Sequence, residues 1–190
     1  MSRDEEPLCD AAGLDAMLDR LAGEVVQVRD SAAPLRLVGV RSRGVPIAER
    51  LARRLASRIG HEVPVGAIDI TLYRDDFGLG ERWPVLRGTE IDFEVDGADV
   101  LLVDDVLFTG RTTRAAINVI CDLGRPARVR LLALVDRGHR ELPIRPDLTG
   151  IVVPTSRADR VQVRITPVDS VDSILIVRSP AQVGGSSGSD

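Results

Sequence analysis

The chain has 190 residues, a formal net charge of -4 and only 3% aromatic residues. The length suits one domain, and so few aromatic side chains argue against a surface that stacks the bases of single-stranded nucleic acid. No apolar run approaches the ~20 residues of a membrane span, the acidic N-terminus is unlike a secretory signal, and an acidic chain requires a local basic patch to bind nucleic acid.

The basic and cysteine residues set further limits on the chemistry. All 25 basic residues are arginines, so a lysine Schiff base or lysine nucleophile is excluded. Two cysteines, Cys9 and Cys121, are too few for a disulfide framework and match no zinc-binding spacing. Cys121 falls on an apolar helical face and is predicted to be a core residue. These features favour a reducing, cytoplasmic environment.

The first part of the chain predicts helices alternating with strands. Apolar residues at helical spacing predict an amphipathic helix near residues 14–28. Residues 35–40 form a strand candidate, and a second helix begins near Pro46 and ends at Gly60. Residues 65–72 are predicted as the next strand, and residues 74–89 form an irregular segment that is long for a compact domain.

The second part continues the alternation and closes with strands. The predicted elements are a short strand at 91–95, a fully apolar strand at 100–103, a helix at 115–123, a strand at 127–135, a loop-rich segment at 136–150 and closing strands at 161–165 and 174–177. The Gly/Ser-rich end, 184–190, is predicted to be disordered. This order predicts an α/β fold with a mainly parallel central sheet and helices on both faces. Ligands are then expected beyond the carboxyl ends of the strands.

The strongest chemical motif follows the apolar strand at 100–103. Asp104 and Asp105 are adjacent acids that suit sugar hydroxyls or a Mg²⁺ ion. The backbone and hydroxyl groups of residues 109–113 precede a helix and suit an anion such as a phosphate. An alternative is that Asp105 and Thr109 are only turn and cap residues. The full motif is Asp104, Asp105, Val106, Leu107, Phe108, Thr109, Gly110, Arg111, Thr112 and Thr113.

This motif closely resembles the phosphoribosyl-pyrophosphate (PRPP) binding motif of the type I phosphoribosyltransferases. The resemblance implies that Asp104 and Asp105 hold the ribose hydroxyls and that residues 109–113 bind the 5′-phosphate. It also implies the fold of that superfamily, which adds a small hood to the central sheet. We therefore expect one phosphoribosyltransferase domain over residues 1–183, with the hood at about 136–165.

Two further segments are candidates for binding the pyrophosphate of PRPP. Arg41, Ser42, Arg43 and Gly44 connect a strand to a helix, and arginine is a bidentate donor to phosphate oxygens. In the superfamily this position is the pyrophosphate loop, although a solvated turn with incidental arginines would look similar. The resemblance implies that the irregular segment at 74–89 is the loop that closes over PRPP. It contributes three candidate arginines, Arg74, Arg82 and Arg87, of which Arg74 is assigned a catalytic role.

A fourth segment is similar to one family within the superfamily. Residues 134–147, together with 72–76 and 154–156, resemble the PyrR family of bifunctional pyrimidine-operon regulators and uracil phosphoribosyltransferases. The resemblance covers residues 14–177. It implies that the hood binds uracil largely through backbone groups, near Asp136 and Arg137, and that uracil and PRPP give UMP and pyrophosphate. Mg²⁺ is expected on the pyrophosphate, mainly through the substrate and with Asp104 and Asp105 as protein ligands.

The PyrR resemblance also implies binding to the mRNA leader of a pyrimidine operon, with uridine nucleotides (UMP or UTP) as co-regulators. The candidate RNA contacts are Arg20, His139, Arg140 and Arg145. The chain departs from the family at Gly23, where a histidine is typical, and at 150–154, which lacks a common basic residue.

A homodimer or a higher oligomer is expected, with the apolar helix near 14–28 as the contact face. The sequence is compatible with three functions. The first is an active uracil phosphoribosyltransferase, and the second is an RNA-binding regulator that uses the pocket only to sense nucleotides. The third is a phosphoribosyltransferase for another base without RNA regulation.

Overall fold

The computed structural model describes residues 5–70 and 88–179. The predicted disordered end at 184–190 and most of the irregular segment at 74–89 therefore lie outside the described residues. In chain order the elements are β1 (Glu5–Cys9), α1 (Ala11–Val28), β2 (Leu35–Val40), α2 (Gly44–Ile59), β3 (Val65–Ile68), β4 (Asp99–Leu107), α3 (Arg111–Leu123), β5 (Arg128–Asp136), β6 (Leu148–Val152), β7 (Arg160–Arg164) and β8 (Ser173–Val177).

The centre of the fold is a five-stranded sheet in the order β3-β2-β4-β5-β6. Every neighbouring pair in it is parallel, which confirms the predicted α/β architecture. One face packs on α1 and α2 and the other on α3, and the apolar side chains form a separate core on each face. Strand β4 is central and buried from both sides, which explains its unbroken apolar run at 100–103. The parallel strands end at one edge, where the site lies.

A second, three-stranded antiparallel sheet in the order β1-β8-β7 forms the hood. The residues predicted to form the hood, 136–165, are divided between the two sheets, because β6 joins the central sheet and β7 joins the small one. The hood also includes the N-terminal strand β1, which sequence analysis did not predict. Its register pairs Glu5 with Val177, so the two ends of the described chain meet in one sheet.

The observed helices confirm the helical spacing of the apolar residues, but α2 and α3 begin earlier than predicted. Asp10 caps α1 by accepting a hydrogen bond of 2.8 Å from the Gly13 N–H group, and Gly60 ends α2 in a left-handed conformation with φ 81°. Helix α2 begins at Gly44, before Pro46, and α3 begins at Arg111, well before residue 115. The two helices therefore start directly at the predicted phosphate-binding loops.

Several local predictions are wrong. Cys121 is exposed, because it lies on the side of α3 opposite the buried positions such as Val119 and Ile120. Residues 91–95 form no strand; in their vicinity only an isolated bridge joins Ala67 to Glu90. Residues 136–150 were predicted to be loop-rich, but β6 begins within them, at Leu148. Across the described residues, none of the helices combines the length and apolarity required to cross a membrane.

The apolar side of α1, which we expected to be a dimer contact, is used inside the protomer. Leu14, Leu18 and Leu21 are completely buried in the core beneath the central sheet. The amphipathic spacing was correct, but it indicates packing within the chain. The expected oligomer therefore requires another surface.

Candidate active site

Strand β4 places Asp104 and Asp105 next to each other near the edge where the parallel strands end. Asp104 is buried, and its Oδ1 accepts a hydrogen bond of 3.0 Å from the Asp105 N–H group. Its Oδ2 is buried and has no hydrogen-bond partner among the described residues. Burial raises the pKa of Asp104 well above its usual range, and the negative charge of Asp105 raises it further. Burial also raises the pKa of Asp105.

Two adjacent acids such as Asp104 and Asp105 are unfavourable in the folded protein when no ligand is bound. Two adjacent carboxylates in a partly dry environment repel each other, and a buried oxygen without a partner costs free energy. Hydroxyl donors or a cation would relieve both costs. Since among the described residues no group of three or more side chains could hold a metal ion, any metal bound here would take most of its ligands from elsewhere.

The loop after β4 turns directly into the N-terminus of α3. Gly110 precedes the helix with φ 91°, a left-handed conformation that strongly favours glycine. The Arg111 N–H group donates to Thr109 Oγ1 at 3.3 Å. Thr113 is fully buried, and its Oγ1 has no partner among the described residues. The first N–H groups of a helix lack intrahelical acceptors, so loop 109–113 suits an anion.

The arginine-containing loop 41–44 lies beside this site because β2 pairs with β4. The Arg41 guanidinium contacts the Gly88 carbonyl at 2.9 Å and Glu90 at 2.7 Å. Arg43 forms a bidentate pair with Asp169, and the charge of Asp105 is one of the causes that raise the pKa of Arg43. A Cβ at Gly44 would lie 2.5 Å from the Val103 carbonyl oxygen. Glycine is therefore required there so that α2 can begin against β4.

The predicted uracil-binding residues lie at the end of β5, the other neighbour of β4. The Asp136 carboxylate accepts hydrogen bonds from the Gly138 N–H group at 2.9 Å and from Arg140 at 2.5 Å. The Arg137 guanidinium lies 4.1 Å from the centre of the Phe108 ring and donates to the Ser156 carbonyl at 2.8 Å. Its Nε is buried without a partner among the described residues, and burial lowers its pKa.

A cavity of about 570 Å³ opens next to Asp136 and Arg137. Its walls are mainly apolar, with the Arg137 side chain at one side. This combination of apolar walls and a few polar groups is typical of a small-molecule site. The lining residues are Asp136, Arg137, Gly138, His139, Arg140, Ile144, Arg145, Pro146, Val152, Val153, Pro154 and Thr155.

The structure separates the four predicted RNA contacts by their environments. Arg145 is exposed at the cavity. The His139 ring lies 2.7 Å from the Thr155 carbonyl through Nε2. Arg20 on α1 donates to the Gly150 carbonyl of the edge strand β6 at 2.6 Å and pairs with Glu24. It thereby covers an unpaired edge of the central sheet.

Arg140 is the most constrained of these four residues. Besides its pair with Asp136, it donates to the carbonyls of Phe108 at 2.8 Å and Ile144 at 3.1 Å. The side chain is mostly buried, with 21% exposed. Its contacts connect the loop after β5 to the loop after β4, so in this structure its guanidinium serves as an internal brace.

Sequence analysis missed Asp169, although the structure places it against Arg43. The only signal near it is the turn composition of residues 167–170, which indicates nothing about its partner. The predicted pyrophosphate contacts Arg74 and Arg87, together with Arg82, lie outside the described residues. The described residues that were predicted to bind PRPP and uracil lie at the ends of three adjacent strands, β2, β4 and β5.

The chain is similar in sequence to known proteins over most of its length. A model of the phosphoribosyl transferase domain matches residues 12–165. The protein named "Bifunctional protein PyrR" from Pelotomaculum thermopropionicum is 48% identical over 179 residues, covering 94% of this chain and 99% of the relative. The protein of the same name from Chloroflexus aurantiacus is 50% identical over 177 residues, covering 93% and 97%.

Solved structures with a similar fold are more distant in sequence. The hypoxanthine phosphoribosyltransferase of Trypanosoma cruzi in complex with the product IMP superposes with a TM-score of 0.68 at 17% identity, over 93% of this chain and 95% of that one. A glutamic acid mutant from a study of an invariant aspartic acid in such enzymes gives 0.71 at 18% identity, over 93% and 96%. At these identities the likeness concerns the fold alone.

Proposed function

The chain belongs to the phosphoribosyl transferase domain family and, within it, to the bifunctional PyrR proteins, and from this premise we propose which of its residues carry out each part of the function. It is a uracil phosphoribosyltransferase that converts uracil and PRPP to UMP and pyrophosphate, and a regulator of pyrimidine-operon expression. The observation that supports the residue assignment best is the buried, unpartnered Asp104 oxygen beside Asp105.

The parts of PRPP correspond to the ends of two of these strands, β2 and β4. The 5′-phosphate binds loop 109–113 at the start of α3, and the ribose hydroxyls donate to Asp104 and Asp105. The pyrophosphate binds loop 41–44, with Arg74 and Arg87 as further contacts. In this arrangement the two carboxylates lie near the ribose, where positive charge develops as pyrophosphate leaves. Preorganised negative charge there stabilises the transition state, and fixed positions of both reactants lower the barrier further.

Mg²⁺ is the implied cofactor, and the donor set fits it. Asp104 and Asp105 supply the carboxylate oxygens that this ion prefers, and Asp104 Oδ2 has no hydrogen-bond partner among the described residues. When bound with PRPP, the ion would neutralise negative charge on the pyrophosphate. The protein's own contribution is to hold the two carboxylates together at the edge of the sheet.

Uracil binds in the cavity beside Arg137, with the ring against the apolar wall formed by residues such as Val153. Arg137 lines this cavity, and its guanidinium is a donor suited to a carbonyl oxygen of the base. Transfer of the phosphoribosyl group to uracil, hypoxanthine, guanine and orotate should be compared in one assay. Turnover with uracil alone is expected. Preference for another base would instead support the alternative function, a phosphoribosyltransferase without RNA regulation.

For the second activity, we propose binding of a pyrimidine-operon mRNA leader that is enhanced by UMP or UTP. Arg145 is the best candidate contact, because it is exposed at the cavity next to the proposed uracil site. The test is titration of the protein with its own operon leader and with unrelated RNA of equal length, with and without UMP at one stated salt concentration. Equal affinity for both RNAs would refute specific regulation.

The remaining partners complete the proposal. A protein that acts on PRPP, a free base and messenger RNA works in the cytoplasm. We also propose a homodimer or a higher oligomer, although its contact surface is not the apolar face of α1.

A further inference from the structure

Arg43 is held by an acidic residue far away in the sequence. Its Nε donates to Asp169 Oδ2 at 3.0 Å and its Nη2 donates to Asp169 Oδ1 at 2.9 Å. Asp169 belongs to the segment between β7 and β8 of the hood. A bidentate arginine–carboxylate pair fixes the plane of the guanidinium as well as its distance. The hood thus determines the orientation of an arginine in loop 41–44 of the central sheet.

Arg43 also has a competing acidic neighbour. The charge of Asp105 is close enough to contribute to the raised pKa of Arg43. Without Asp169, the flexible guanidinium would be drawn toward the two carboxylates proposed to bind ribose, and it would compete with the ribose hydroxyls. With Asp169, two of its five N–H donors are occupied, and Nη1 makes no hydrogen bond to any described residue.

Asp169 is itself rigidly placed and charged. Its Oδ2 accepts a hydrogen bond of 2.9 Å from the Ile165 N–H group, and its own N–H group donates to the Ile165 carbonyl at 2.8 Å. Its side chain is only 18% exposed. The hydrogen bond from Arg43 is the main cause that lowers its pKa, so Asp169 remains ionised at neutral pH.

The same segment contains a natural control. Asp172 pairs with Arg50 on α2, with one bond of 2.5 Å and another of 3.0 Å, and it also accepts from the Thr166 N–H group at 2.8 Å. The Arg50–Asp172 pair attaches the segment between β7 and β8 to α2, just as the Arg43–Asp169 pair attaches it to loop 41–44. It does not involve loop 41–44, so it shares the structural role of Asp169 without the contact to the proposed pyrophosphate site.

We propose that Asp169 is a positioning residue of the transferase. It holds the Arg43 guanidinium away from Asp105 and leaves Nη1 directed to the pyrophosphate of PRPP. This inference rests on the proposed function, because it assumes that loop 41–44 binds pyrophosphate. It adds that a hood residue, remote in sequence from every PRPP-binding motif, controls affinity for PRPP.

The test compares D169N with D172N in steady-state uracil transferase assays and in thermal unfolding. Losing a hydrogen-bonded partner of a charged group changes affinity by about tenfold or more. D169N should therefore raise KM for PRPP about tenfold and leave KM for uracil unchanged. D172N should lower the unfolding temperature and leave both KM values near wild type. An equal rise of KM for PRPP in both variants would overturn the proposal, because it would indicate general loosening of the segment.

Two further variants make the result decisive. D169E keeps the charge at a displaced position and should give an intermediate KM for PRPP; if D169N does not fold, an unchanged KM in D169E refutes the proposal. R43Q tests the proposed function itself. If R43Q leaves KM for PRPP unchanged, the assignment of loop 41–44 fails. If R43Q raises it, the double variant R43Q/D169N should match R43Q alone, and additive effects would refute positioning through Arg43.

Discussion

Replacing Asp104 and Asp105 together by asparagine should affect stability and binding in opposite directions. The two acids are adjacent, and the Asp104 side chain is buried with one oxygen unpaired. Asparagine keeps a polar group at each position but removes the buried, mutually repelling charges, which cost about 1–3 kcal/mol. Removing both charges should therefore raise the free energy of unfolding at neutral pH by an amount in that range, equivalent to roughly 2–12 °C in the unfolding temperature for a chain of this size.

The stability gain should depend on pH in a defined direction. Both carboxyls have pKa values raised by burial, so the folded state retains their protons at a pH where the unfolded state has released them. Wild-type stability is therefore lost as the pH rises above about 4, their usual pKa, and through the raised folded values. The difference between the variant and the wild type should grow over this interval and shrink toward pH 4. Thermal unfolding followed from pH 4 to pH 8 measures this difference.

The same double replacement should weaken PRPP binding, although it stabilises the fold. Two lost hydrogen bonds to charged groups, each of about 1.5 kcal/mol or more, weaken PRPP binding about 100-fold or more. Isothermal titration calorimetry with PRPP and Mg²⁺ measures the Kd, and uracil turnover should disappear with it. A variant that is less stable than the wild type at neutral pH would show that the acids are structural. A variant that still turns over uracil would refute their assignment to the ribose.

Four other predictions use separate observations. Arg140→Ala should lower the free energy of unfolding by about 1–3 kcal/mol, because it leaves buried acceptors unpaired; a chemical denaturation curve identical to that of the wild type would contradict its role as a brace. Cys121 is exposed, whereas Cys9 is partly buried with a pKa raised by burial, so a thiol reagent should label Cys121 first, as peptide mass spectrometry can show. Arg50 lowers the pKa of Asp172 to about 2, so the stability from this pair should be present above about pH 4 and lost as the pH falls toward 2; acid unfolding of D172N should lack this component. Sedimentation equilibrium at micromolar concentration should give at least a dimer, and a monomeric mass would refute the proposed assembly.

The sequence alone was sufficient for features that depend on neighbouring residues. The motif from Asp104 to Thr113 was recognisable because strand, acids, loop and helix start follow one another without interruption, and loop 41–44 was recognisable for the same reason. The alternation of apolar runs and helical spacing predicted the parallel sheet, because each pattern reflects burial on one or two faces. These features are local, so their physical causes are contained in the same few residues.

Only the tertiary structure decided which distant residues meet. Asp169 lies 126 residues after Arg43, and no local pattern marks the two as partners. Arg20 remains a predicted RNA contact, and only the fold shows that α1 also places it against the carbonyls of the edge strand, including that of Gly150. The apolar face of α1 suggested a partner chain and packs inside the protomer instead. The charge or apolarity of a side chain determines which kind of partner it needs. Which residue becomes that partner depends on how the whole chain packs, because the two can be far apart in sequence.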